Sequence, residues 1–366
     1  MMGGRASKAG PGAITDAMAR YERWLHTQVR VVEKDLQAKR QKIAEDGFAF
    51  LRGTYFRWAE TIEAMCPELV TAPKVLAIGD IHLENFGVWR DEEGRLAWGV
   101  NDFDEAATMP YPFDLVRLAA SAILARHGLG RARSAVCDTI LAAYRKRLAR
   151  PGPFILDEEN TWMRMIAMAD ENDRRKFWNE IDRTRKNRAV PRSYRSRLTS
   201  ALPPDADILW FAPRRAGVGS LGRPRHIVVA NWRGGRIVRE AKALVPSAWT
   251  IRQSKSVPKS NGRTLSSHRF RAPDPFFSIA HGISVRRLAP DSRKLDFKKT
   301  LPISVRLRVL EAMGGELANV HAATPGAAEA IAADLDRRAE RWLQDAVKTA
   351  LSMTSGDFAA WQTAQR

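Results

Sequence analysis

The stretch VLAIGDIHLENFGVW at residues 75–89, with WGVNDFDEA at 98–106, governs how this chain is read. Each is a short apolar run surrounded by acids and amides. Asp80, His82, Glu84, Asn85, Asn101, Asp102, Asp104 and Glu105 fall within 26 residues. A carboxylate beside buried strands is costly unless a cation or a hydrogen-bond donor meets it. A metal ion, alone or with phosphates, meets that need, and a solvated hairpin edge is the plain alternative. KVLAIGD (74–80) reads as a strand entering a loop, and FGVW and LAWGVND flank RDEEGR as a hairpin that turns at Gly94. Pairing those strands brings Asp102 back beside Asn85. Asp80 is then free to take a proton, while Asn85 and Asp102 offer hard oxygens. Mg²⁺ binds through one or two carboxylates plus substrate phosphates. Phosphoryl transfer calls for this set.

Composition sets the frame. A chain of 366 residues is long for one core, so two lobes are expected. A hydrophobic content of 45%, with 11 Trp and 14 Phe, excludes a disordered chain. The two cysteines, Cys66 and Cys137, lack CxxC spacing. That argues against a disulfide scaffold and a thiolate zinc site, and it fits a reducing cytoplasm. A net charge of +19 favours anionic partners: nucleotides, nucleic acid or acidic lipid. The 60 Lys and Arg are spread over most of the chain, which weakens the nucleic-acid reading. MMGGRASKAGPG at the start has no apolar run of the secretory kind. The most apolar stretch, 114–128, is broken by Arg117 and too short to span a bilayer. The expectation is a soluble, cytoplasmic protein with no membrane span.

Along the chain, residues 1–45 read as a tail and a helix, with Tyr21, Leu25, Val29, Val32 and Leu36 on one face between Ile14 and Ile43. Residues 46–200 form a helix-rich half that holds the acidic loop, with a break at Gly128 and Gly130. Its basic run, 173–188, reads as a solvated face, with Phe177, Trp178 and Tyr194 in core. Residues 201–295 are β-rich, with an irregular stretch at 246–274, and 296–366 are helical. Within the β-rich part, GVGSLG places Gly217, Gly219, Ser220 and Gly222 in a G-x-G-x-x-G pattern. A dinucleotide site needs a helix next. Pro224 and HIVV predict a hairpin instead, and a Gly-rich hairpin covering phosphates is the kinase arrangement. Gly lets backbone N–H groups approach phosphate oxygens without a Cβ in the way. Arg239, or Lys242 three residues further, is the candidate phosphate clamp, and Glu240 either pairs with one of them or lies exposed on the strand.

GDIHLEN, VNDFDEA and YPFDLVRLAAS together resemble the catalytic core of aminoglycoside-phosphotransferase-like and choline-kinase-like proteins, in the protein-kinase-like superfamily. The resemblance implies Asp80 as catalytic base and Asn85 and Asp102 as metal ligands. It makes Asp114 a structural acid that buttresses the loop and His82 a loop-shaping residue, with Asp104 beside the metal ligand. Over about residues 46–322, FAFLRGTYF, GDIHLENFG, NDFDEA, DLVRLAAS and GVGSLG also resemble, in order, an uncharacterised bacterial family known as domain of unknown function 2252. Arg52 looks characteristic of that family, either anchoring phosphate or pairing with an acid such as Asp104. His321 reads as a capping or packing residue.

In ordinary kinases the Gly loop precedes the catalytic loop, whereas here it follows. The helix ending LANVH also comes last. The implied fold is α+β and helix-rich, a two-lobed protein-kinase-like fold that is circularly permuted. The implied activity is ATP- and Mg²⁺-dependent transfer of a phosphoryl group to an unidentified hydroxyl acceptor. Arg239-Glu240-Ala241 stands where the family often has Lys-Glu-Ala, which favours an alternative: a nucleotide-binding pseudokinase without transfer. A basic nucleic-acid-binding protein is a third reading, and nucleotidyl in place of phosphoryl transfer stays open.

Overall fold

The computed structural model describes residues 12–125, 133–184, 189–253, 261–294 and 301–366. The tail before residue 12, the break at Gly128 and Gly130, and the end of the basic run at 185–188 lie outside them. In chain order the elements begin with α1 (Ile14–Gln28), α2 (Glu33–Lys42), α3 (Gly47–Gly53) and α4 (Tyr55–Met65). The acidic segment follows with β1 (Lys74–Ala77), β2 (Phe86–Arg90), β3 (Leu96–Val100) and β4 (Ala107–Pro110). Next come α5 (Pro112–Leu124), α6 (Arg133–Ala149), β5 (Phe154–Ile155), α7 (Thr161–Ala167), α8 (Glu171–Asp182) and α9 (Arg192–Thr199). The β-rich part holds β6 (Asp207–Pro213), β7 (Arg225–Trp232), β8 (Gly235–Ala243), α10 (Ala248–Gln253), α11 (Gly262–Ser266), β9 (Ser278–Ala280) and β10 (Ile283–Leu288). The chain closes with α12 (Ile303–Ala322), α13 (Ala327–Arg337) and α14 (Trp342–Ala364).

The fold is mixed α+β and rich in helix. One large core joins α1, α3–α7 and α12–α14 to β1–β5. Its densest contact is between α6 and α12, where a Cβ on Gly314 would lie 2.5 Å from the Ile140 carbonyl. The five-stranded antiparallel sheet runs β6-β7-β8-β10-β9. Side chains alternate across its faces, as strand geometry requires. Ile227, Val229 and Val238 pack under Phe177, Trp178 and Ile181 of α8. Val228, Ala241 and Val285 pack under Tyr194 and Leu198 of α9. The aromatics of the basic run are half-buried against the sheet, and Phe177 also reaches the cavity beside the acidic segment. A three-stranded sheet, β2-β3-β5, and a two-stranded one, β1-β4, carry the acidic segment, with Phe86 opposite Val100.

Two expectations change. The helix expected over Ile14–Ile43 is two helices, because Val29 and Val32 are extended and the Val32 N–H bonds to the Gly222 carbonyl at 2.9 Å. A tertiary partner takes the hydrogen bond that an unbroken helix would use. The stretch 246–274, expected to be irregular, contains α10 and α11. The hairpin after the Gly loop is present as β7 and β8.

Candidate active site

The loop between β1 and β2 is set by its neighbours. Gly79 has φ +78°, and a Cβ there would meet the Tyr55 hydroxyl at 2.5 Å and the Glu105 carbonyl at 2.7 Å. Both conformation and space demand glycine. Asp114, in the first turn of α5, is fully buried and accepts the N–H groups of Ile78 at 2.8 Å and Gly79 at 2.9 Å. His321 of α12 backs it, with Nε2 at 3.2 Å from Asp114 and Nδ1 at 2.8 Å from the Tyr144 hydroxyl. His82 Nδ1 accepts the Glu84 N–H and so closes the short turn Leu83–Asn85. The Asn85 Nδ2 donates to the Asp80 carbonyl, and the Asn101 N–H donates to the Asn85 carbonyl. The hairpin thus ties the two halves of the acidic segment together.

Asp80 meets a cation. Arg117 of α5, fully buried, donates Nη2 to Asp80 at 2.6 Å and to the Leu51 carbonyl at 2.8 Å. Its guanidinium lies over the rings of Tyr55 and Trp58. Burial pushes the Asp80 carboxyl up from its ordinary range, and Arg117 pulls against that rise. The sequence reading missed Arg117 as a site residue, although a charge in the middle of an apolar helix is a signal for one.

The Gly loop crosses to this segment. A Cβ at Gly219 would lie 3.0 Å from the Arg52 carbonyl and 3.5 Å from Asp80 Oδ2. Lys39 of α2 donates to the Gly219 carbonyl at 3.1 Å. Ser220 Oγ accepts from Arg225 at 2.8 Å. Lys242 reaches Asp104 at 2.7 Å and Asp102 at 3.3 Å. Arg223 pairs with Asp104 and Glu105. Glu240 is 1% exposed and holds Arg214, Arg225 and Arg286. It is a buried hub, not an exposed strand residue. Arg239 departs from its expected place: it packs over the Phe276 ring and donates to the Ala201 and Val238 carbonyls. Strand alternation sends it to the face opposite Lys242. Arg52 pairs with Glu84 at 3.0 Å, not with Asp104.

Many of these groups line one cavity of about 480 Å³, bounded by Asp80, Asn85, Asp102, Gly217, Gly219 and Lys294 among others, while Lys242 lies beside it in a small pocket with Asp102 and Asp104. Burial tends to raise the Asp102 carboxyl, but the ammonium groups of Lys242 and Lys294 and the Arg286 guanidinium outweigh it and hold it well below its usual range. Burial pushes Glu105 up to about 7, opposed by Arg223, and pushes Lys39 and Lys294 down to about 8. His82, desolvated and beside Arg52 and Lys294, is held well below its normal value and stays neutral. Lys39, Arg223, Arg225 and Lys294 joined no motif in the sequence reading, whereas Glu105 belongs to the acidic segment. The four cations come from α2, a loop, β7 and a strap at 289–294, so no local pattern links them.

Residues 30–203 match a family described as an uncharacterized protein conserved in bacteria (DUF2252). The DUF2252 match covers the acidic segment and α5, and ends before the Gly loop, short of the span to residue 322 expected from motifs. The chain matches no curated protein and no solved structure. The kinase-like resemblance therefore rests on the motifs. Among the described residues, no helix is long and apolar enough to cross a membrane.

Proposed function

We propose that the protein is a nucleotide-dependent phosphotransferase with a permuted kinase-like arrangement, in which a Gly loop later in the chain covers a catalytic loop that precedes it. The observation that carries this reading is the convergence of two remote segments: Gly219 beside Asp80 in the cavity, and Lys242 paired with Asp102 at its edge. A cleft with convergent polar groups and shifted carboxyls is the expected form of such a site.

The geometry supports the following roles. Asp80 is the base: it takes the proton of an acceptor hydroxyl as that oxygen bonds to the terminal phosphorus and the bond to the nucleoside diphosphate breaks. Its raised carboxyl is suited to this, and Arg117 fixes its position. Gly217, Gly219 and Ser220 supply the cover for the phosphates, whereas Gly222 turns the loop against Leu36 and does not line the cavity. Lys242, not Arg239, is the clamp. The donor set fits Mg²⁺. Asn85 spends its Nδ2 on the Asp80 carbonyl, which keeps Oδ1 as an acceptor, and Asp102 is held ionised. Asn85 and Asp102 would hold the ion together with substrate phosphates, and the ion would neutralise charge on them.

Calorimetric titration with ATP, with and without Mg²⁺, tests this reading. Wild type should bind only with the metal, and Asp102→Ala should lose binding. Asp80→Asn should keep binding and lose turnover by about 10²-fold or more. Equal loss of both functions in both variants, or of neither, would sink the assignments.

A further inference from the structure

The cations around the cavity are mostly neutralised by the protein itself. Arg214, Arg225 and Arg286 share Glu240, and Arg223 has Asp104 and Glu105. The Lys294 ammonium lines the same cavity with no hydrogen bond or ion pair among the described residues. It is half-buried, and the Asp102 and Glu84 carboxylates attract it without forming an ion pair. The fold holds it in place. Lys294 forms a β-bridge with Gly87, and the Val88 N–H bonds to the Arg293 carbonyl at 2.9 Å. A Cβ on Gly87 would come within 2.6 Å of that carbonyl, so the strap lies on β2 only because residue 87 is glycine. Arg52 stands nearby, bonded to Glu84, with its Nε buried and unpartnered.

We propose that Lys294 and Arg52 form an oxyanion site for the acceptor, so that the acceptor is an anionic hydroxyl compound carrying a phosphate or carboxylate group. Both cations flank Glu84, four residues past the base on the same loop, and a base faces the acceptor hydroxyl. The inference rests on the phosphotransferase reading for the identity of the acceptor, though not for the existence of an anion site.

The test is calorimetric titration of the full chain with inorganic phosphate in the presence of Mg²⁺ and a saturating non-hydrolysable ATP analogue. The analogue fills the position of the terminal phosphate, so phosphate that still binds occupies a second site. Wild type should bind, Lys294→Met should weaken binding at least about tenfold, equivalent to about 1.4 kcal/mol, and Lys294→Arg should retain most of it. Gly87→Ala, which displaces the strap and leaves the ammonium in the chain, should weaken it as well. Phosphate binding that the analogue abolishes would overturn the proposal by making Lys294 a nucleotide contact. Binding of the analogue without phosphate would overturn it too and leave the nucleotide reading intact. Phosphate binding without any analogue binding would uphold the anion site while the phosphotransferase reading fails.

Discussion

Asp114 and Lys39 illustrate how much single side chains carry. Asp114 satisfies two backbone N–H groups of the loop after β1 and one edge of His321, with no exposure. Asp114→Ala should destabilise the fold by on the order of 3 kcal/mol, since each buried donor left unpaired costs about 1–3 kcal/mol. Denaturant unfolding measures it, and Asp114→Asn, which keeps one carbonyl acceptor, should cost less. Lys39 is a buried ammonium that titrates near 8 in the fold against 10.5 in the open chain, because burial disfavours its charge. Between those values the unfolded chain holds more protons, so stability contributed by this group rises as pH rises from 8 to 10.5. Lys39→Met should raise the melting temperature at neutral pH and remove that rise. A thermal-melt series against pH reads both.

Elements depend on contacts that no single residue makes. β8 and its neighbours gather three guanidiniums on one buried carboxylate, Glu240, which they hold well below its usual range despite burial. A depressed carboxyl adds stability that is present above its unfolded value of 4.5 and is lost as pH falls through the folded one. Glu240→Ala leaves three cations facing one another and should cost about 3–5 kcal/mol. Its denaturant midpoint should fall while the slope of the transition stays the same. The α6–α12 packing makes a second case. Gly314→Ala places a methyl 2.5 Å from the Ile140 carbonyl, and backbone cannot yield as a flexible side chain can. An overpacking cost of about 1–3 kcal/mol follows, measured the same way.

For the whole molecule, the question is how the first helices and the Gly loop act together. Val32 and Lys39 bond to Gly222 and Gly219, and Asp35 pairs with Arg215. The N-terminal pair of helices thus grips the loop that covers Asp80. If nucleotide binds beneath that loop, amide exchange should slow together at Val32 and at 217–222. Exchange that slows in the loop alone would separate the two.

Much of the site was legible in the chain. GDIHLEN and VNDFDEA are local, and short loops beside paired strands keep sequence neighbours together in space. The hairpins, the β-rich stretch and the C-terminal helices follow from period and turn residues for the same reason. The sequence by itself therefore determined that Asp80, Asp102, Asp104 and Glu105 lie together and that a Gly hairpin exists. Only the tertiary structure decided which cations meet them. Arg117 lies on a helix, Lys39 on α2, Arg223 beyond the Gly loop and Lys294 on a strap, and each is chosen by long-range packing. Strand alternation in the folded sheet turned Lys242 inward and Arg239 away, a choice the two neighbouring basic residues did not disclose. A buried carboxylate requires a partner, but the partner's place in the sequence is set by topology and not by spacing.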